Sequence, residues 1–100
     1  MTEAQIRKKA VEILKQQNYL VWYPPRTRWH REDIFTIGDG LAWRLSEFKL
    51  IQWTTKHNIK ARMDKIRDYL AKNKLMVCYP LQIEVWGYDK RKKSFTVEKL

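Results

Sequence analysis

Carboxylates seldom sit in apolar strands unless something compensates their charge. This chain places Asp33, Asp39 and the amide Gln52 in one largely apolar stretch, Asp33-Ile-Phe-Thr-Ile-Gly-Asp-Gly-Leu-Ala-Trp43 through Leu50-Ile-Gln-Trp-Thr-Thr55. A bound metal ion is one such compensation; a hydrogen-bond network is the other. Asp39 stands between two glycines and also suits a turn or bulge, and Gln52 also suits an amide bonded across a sheet. A second constellation, Arg26-Thr-Arg-Trp-His-Arg31, sets Arg26, Arg28 and Arg31 around Trp29. Arginines flanking an aromatic fit phosphate contact plus stacking on unpaired bases; the alternative is that Trp29 folds back over a sheet as a lid. His30 and His57 stand apart, without metal-ligand spacing. No Ser-His-Asp or Cys-His arrangement and no glycine-rich phosphate loop can be drawn.

One hundred residues suit a single domain, residues 1–100, with one two-layer core. Lys and Arg outnumber Asp and Glu by 21 to 11, for a net charge of +10. That excess attracts polyanions: nucleic acid first, with an anionic membrane surface or an acidic protein as rivals. The lone Cys78 forms no internal disulfide, which fits a reducing cytoplasm, and its apolar run Leu75-Met-Val-Cys-Tyr suggests a small core residue. No apolar run approaches the ~18 residues of a membrane span, and the charged, helix-like N-terminus does not read as a secretory signal.

The elements that must position these residues follow from periodicity. A helix is expected over Thr2 to Asn18, capped by Thr2, with Ile6, Ala10, Ile13, Leu14 and Gln17 on one face and Asn18 as left-handed terminator. A strand Tyr19–Tyr23 ends at Pro24-Pro25. Strands follow over Asp33 to Trp43 and Phe48 to Thr54, then a helix Ile59 to Lys72 with Ile59, Met63, Ile66 and Leu70 on its apolar stripe. The other faces of that helix carry Lys60, Arg62, Lys65 and Arg67. Two further strands, Gln82–Tyr88 and Ser94 to Glu98, flank a Lys90–Lys93 hairpin that reads as a solvated turn. The order α-β-β-β-α-β-β predicts a meander of three strands, a parallel pairing of the third and fourth across the helix, and so an α/β fold: a mixed five-stranded sheet with a helix on each side.

This order and these residues resemble the PD-(D/E)XK nuclease superfamily, and within it the small Holliday-junction-resolvase-like proteins. The resemblance spans roughly residues 3 to 88 and rests on Asn18-Tyr-Leu-Val, Asp33-Ile-Phe…Gly38-Asp39-Gly and Leu50-Ile-Gln-Trp-Thr-Thr. It implies a restriction-endonuclease-like core. It also implies that Asp39 is the motif aspartate and a metal ligand, that Gln52 occupies the Asp/Glu position and Thr54 the lysine position, and that Glu3 is the acidic residue some members carry in the first helix. Gln52 and Thr54 depart from the family pattern, and Lys56, of the same parity, is the candidate to supply the missing positive charge. The implied cofactor is Mg2+ or Mn2+.

A literal motif, Asp39 followed by Glu47-Phe-Lys49, is the alternative catalytic set together with Asp33. Hairpin geometry weighs against it. A two-residue loop at Leu45-Ser46 pairs Arg44 with Glu47 and sets Asp39 opposite Gln52, about 5 Å apart at Cβ, whereas Glu47 falls about 16 Å along the strand. The same count separates Asp33 from Asp39 by about 20 Å unless the chain bends at Gly38 or Gly40, and makes Asp33 a loop-edge partner of Arg28 or Arg31. The implied activity is structure-selective, metal-dependent DNA cleavage, with Arg26, Arg28, Trp29, Arg31, Lys56 and Lys60 on branched DNA. The alternatives are a catalytically degenerate nucleic-acid-binding module of the same fold, or a basic assembly domain. A homodimer is expected of an enzyme cutting a symmetric junction, with Trp86, Tyr88 and Phe95 as aromatics for the second copy.

Overall fold

Thr2 opens the first helix as expected: its hydroxyl accepts from the Gln5 N–H at 3.2 Å, and Gln5 Oε1 accepts from the Thr2 N–H at 2.8 Å. This reciprocal capping box satisfies two otherwise orphaned donors. The helix, α1 (Glu3–Gln16), stops where Asn18 takes a left-handed φ of 69°. There the Asn18 and Tyr19 amides donate to the Lys15 and Leu14 carbonyls, each at 3.0 Å, in a Schellman closure. The structure, a computed structural model, describes residues 1–25, 33–35 and 37–100. The expected contacts of Arg26, Arg28, Trp29 and Arg31 lie outside those residues.

The remaining elements are β1 (Leu20–Trp22), β2 (Gly40–Arg44), β3 (Glu47–Thr55), a 3-10 turn Lys56–Asn58, α2 (Ile59–Lys72), β4 (Leu81–Asp89) and β5 (Ser94–Lys99). They form one sheet in the order β1-β2-β3-β4-β5, antiparallel throughout except for the parallel β3–β4 pair joined through α2. The α/β class, the three-strand meander and the parallel crossover are therefore as expected. Arg44 pairs with Glu47 across the two-residue Leu45-Ser46 loop, and the register runs unbroken to Gly40 opposite Ile51.

Alternation assigns the two faces. On one, α1 buries Ile6, Ala10, Val11 and Leu14 against Ile51, Trp53, Trp86 and Tyr88. On the other, Met63 and Ile66 of α2 cover Leu50, Ile83 and Val85. Gln17, expected on the apolar stripe of α1, is exposed, and Val11 takes a place there instead. Trp86 and Tyr88 are core residues packed with Phe95, at ring separations of 5.4 and 5.3 Å, so they are not free for a second copy. Cys78 is exposed because Leu75–Pro80 forms the loop into β4, where Val77 alone packs on the core. Beyond α2, the same face leaves Leu20 (69% exposed), Trp22 (54%) and Trp43 (49%) uncovered on β1 and β2. Among the described residues no helix is long and apolar enough to cross a membrane.

The long second strand is the main departure. Strand β2 begins only at Gly40. Before it the chain doubles back, with the Ile34 and Gly38 amides each donating to the other's carbonyl at 2.7 and 3.0 Å and Phe35 at a φ of 51°. Close packing requires the glycines here. A Cβ on Gly38 would fall on the Leu50 side chain, and one on Gly40 would meet the Trp53 ring at 2.5 Å and the Trp22 carbonyl at 3.2 Å. Gly40→Ala is expected to cost about 1–3 kcal/mol by overpacking, read as a lower urea midpoint with an unchanged slope.

Candidate active site

The doubled-back segment and the end of β3 enclose a cleft of about 340 Å³, lined among others by Glu3, Asp33, Asp39, Gln52, Thr54 and Arg62. They arrive on several elements. Glu3 sits in the first turn of α1 and Arg62 on α2. Alternation along β3 puts Gln52 and Thr54 on the α2 side and Trp53 on the α1 side. Asp39 follows the bend. Its N–H donates to the Ile51 carbonyl at 2.8 Å, one residue off the ladder's register, and its Oδ2 accepts from the Trp53 N–H at 3.0 Å. The carboxylate thereby caps a β3 amide beside Gln52, with Asp39 only 6% exposed and Gln52 3%.

The cleft unites the residues that the resemblance singles out, with specific corrections. Asp33 is not held apart from Asp39 by a straight strand; the bend at Ile34–Gly38 brings both to one cleft. The literal alternative fails at Glu47 and Lys49. Both lie at the far end of the β2–β3 hairpin, on the α1 side. Glu47 Oε2 accepts from the Tyr19 hydroxyl at 2.8 Å and meets Arg44 at 3.3 Å, which hold its carboxyl below the ordinary range. Lys49 stands 3.2 Å from the buried Glu84 carboxylate. Burial pulls the ammonium down, but the Tyr19 hydroxyl and Glu84 outweigh it and keep Lys49 above its ordinary pKa.

Lys56 is displaced too. Strand β3 ends at Thr55, so the parity of Gln52 and Thr54 does not carry on. Lys56 Nζ instead donates to Asp89 Oδ2 at 3.3 Å. Lys60 is exposed and lines no part of this cleft. Among the described residues the basic side chain that lines it is Arg62, which helical periodicity assigns to a solvated face. Nothing in the sequence short of the sheet's position could have singled it out.

Asp89 also accepts from the backbone N–H of Arg91 at 2.9 Å and Lys92 at 3.3 Å. Burial raises its carboxyl pKa, but the Lys92 and Arg91 amides and Lys56 more than offset that and leave it below the ordinary value. A depressed folded pKa means the stabilisation is fully present above about pH 4 and is lost as pH falls through the folded value. Protection of the Arg91 and Lys92 amides from exchange should therefore persist through neutral pH and collapse only in acid.

The cleft's donors are hard oxygens, the kind that suit magnesium or manganese. One of them is orphaned: Gln52 Oε1 is buried and accepts no hydrogen bond. An unmet buried acceptor costs about 1–3 kcal/mol, which a cation at that oxygen would repay. The described residues do not close a cage by themselves. Among the described residues no three His, Cys, Asp or Glu side chains gather closely enough to hold a metal ion. The fit is to an ion bound by one or two protein oxygens that keeps water and substrate oxygens in its shell. Compared with protein-family models, curated proteins and solved structures, the chain matches none.

Proposed function

We propose that this chain is a structure-selective, metal-dependent DNA endonuclease of the resolvase-like kind, its sheet and helices a restriction-endonuclease-like core. The observation that carries the reading is the orphaned, buried Oε1 of Gln52, a residue that lines the same cleft as Asp39. Asp39 and Gln52 would hold the magnesium, with Glu3 or a substrate phosphate completing the shell. When bound, the ion polarises the phosphate and lowers the pKa of an attacking water. Thr54 offers a hydroxyl that orients that water or a phosphate oxygen, but it is no base at neutral pH. Arg62 is permanently charged and so cannot take a proton. Its role is to neutralise the phosphate, the positive charge for which the sequence offers Lys56.

Incubation of a four-way junction with the protein, with and without magnesium, tests the reading. Magnesium-dependent nicking is expected, and its absence at high protein concentration would refute it. Arg62→Ala should slow cleavage by about 100-fold with a small change in junction affinity, and Arg62→Lys should recover part of the rate. Cleavage unchanged in Arg62→Ala removes the arginine from the mechanism.

A second reading rests on the neutral residues at positions 52 and 54 and on the open donor set. It is a degenerate module that binds branched or single-stranded DNA without cutting it. Both readings require affinity that falls steeply with salt. Loss of all binding at low salt would leave the positive charge to an acidic protein partner in an assembly.

A homodimer belongs to the proposal because a symmetric junction calls for two sites related by a two-fold axis. With Trp86 and Tyr88 in the core, the surface for it is the uncovered face of β1 and β2. Trp22 and Trp43 each leave on the order of 100 Å² exposed there, and with Leu20 and Phe48 they form a patch as large as monomers ordinarily carry. Sedimentation at tens of micromolar should show a dimer that Trp22→Arg dissociates; a wild-type monomer would overturn this part.

A further inference from the structure

Among the described residues, the lining of the Asp39 cleft includes the carboxylates of Glu3, Asp33 and Asp39 and the guanidinium of Arg62. A carboxylate-bearing cleft suits a metal cation, whereas capture of a polyanion calls for a surface of unpaired cations. Such a surface exists. A larger cleft, of about 780 Å³, lies between the 3-10 turn after β3 and the β4–β5 hairpin, and Met1, Ile6 and Thr55 line both clefts. Among the described residues its charged lining is Lys56, Lys90, Arg91 and Lys92 with His57 beside them, against the single carboxylate Asp89.

That carboxylate is already engaged. Asp89 Oδ1 accepts from the Arg91 and Lys92 amides and Oδ2 from Lys56 Nζ, which ties the hairpin to the turn after β3. Among the described residues no carboxylate pairs with the side chains of Lys90, Arg91 or Lys92, and all three are exposed. Asp89 therefore shapes a turn that holds unpaired cations at the rim of a concavity. Scattered solubility charge would not require a buried aspartate to organise it.

We propose that this second cleft is a binding site for the phosphate backbone of nucleic acid, and that it holds the strand running out of the Asp39 cleft across the shared wall of Met1, Ile6 and Thr55. The inference rests on the nucleic-acid reading given above but not on cleavage. Each phosphate neutralised releases counterions, so the cleft's share of binding is legible in the salt dependence of affinity, about 0.9 log units of slope per duplex phosphate.

The test compares the wild type, the triple variant Lys90→Ala/Arg91→Ala/Lys92→Ala, and a charge-matched control, Lys8→Ala/Lys65→Ala/Lys74→Ala, whose exposed lysines line neither cleft. Binding of a fluorescent four-way junction is followed by anisotropy from 50 to 200 mM potassium chloride, and folding by circular dichroism. The hairpin variant should lose about two to three units of log-log slope and more than about tenfold in affinity at the lowest salt; the control should lose far less. Equal losses in the two folded triples would overturn the proposal, because net charge alone would then account for binding. Junction cleavage by the hairpin variant at wild-type affinity would sink the second cleft and leave the endonuclease standing. Hairpin-dependent binding without cleavage in magnesium would do the reverse. No binding by the wild type at the lowest salt would remove both.

Discussion

Asp39→Ala is expected to abolish junction cleavage, on the order of a thousandfold or more, and to remove magnesium or manganese binding in calorimetric titration. Junction affinity should be nearly unchanged or slightly tighter, since a negative charge has left the phosphate path. The alanine also strips the Trp53 N–H of its 3.0 Å acceptor. A hydrogen bond to a charged group contributes about 1.5–3 kcal/mol, so the variant should lose stability as well as activity. Asp39→Asn separates the two effects: an amide oxygen can still accept from Trp53, but it binds a hard cation poorly. A folded Asn variant without cleavage or metal binding is the expected result. Should it cut at the wild-type rate, Asp39 is a structural capping residue and the binding-module reading takes over.

Lys49→Met should produce the largest loss of stability, about 3–5 kcal/mol. Glu84 is 1% exposed, with the Trp86 indole N–H donating to Oε1 at 3.0 Å and Lys49 Nζ at 3.2 Å from Oε2. The Lys49 contact is an ion pair without hydrogen-bond alignment, so charge supplies most of the compensation at Oε2. Removing Lys49 leaves that carboxylate with Lys99 at 3.9 Å, whose side chain is 64% exposed and hence well screened. A buried charge without an adequate partner is among the costliest defects a fold can carry. Adding Glu84→Gln should recover much of the loss, because the amide removes the unpaired charge while its oxygen still accepts from the Trp86 indole. Denaturant midpoints of the two variants check both statements. Nicking activity of folded Lys49→Met checks a third: it should be intact, and its loss would reinstate Glu47-Phe-Lys49 as the catalytic motif.

Signals that act over a few residues were legible in the sequence. Thr2 and Asn18 bound α1 through their own side chain and backbone preferences, Leu45-Ser46 sets the hairpin register, and period-2 alternation separates Gln52 and Thr54 from Trp53. The helix stripes and element order carried the two-sided mixed sheet. Other features depended on partners far along the chain. The stretch from Ile34 to Ile37 has the composition of a strand, yet Ile34 bridges back to Gly38, and the nearby glycines Gly38 and Gly40 are fitted to the side chains of Leu50 and Trp53. That bend makes Asp33 a neighbour of Asp39. Lys56 leaves the line of Gln52 and Thr54 because β3 ends one residue before it, and Asp89, 33 residues away, binds its ammonium. Arg62 and the cations of the Lys90–Lys93 turn look equally solvated in sequence. Only the packing of α2 over the sheet and of the hairpin beside the 3-10 turn decides that Arg62 and three of the turn cations, Lys90, Arg91 and Lys92, line clefts, because a concave surface exists only where separate elements meet.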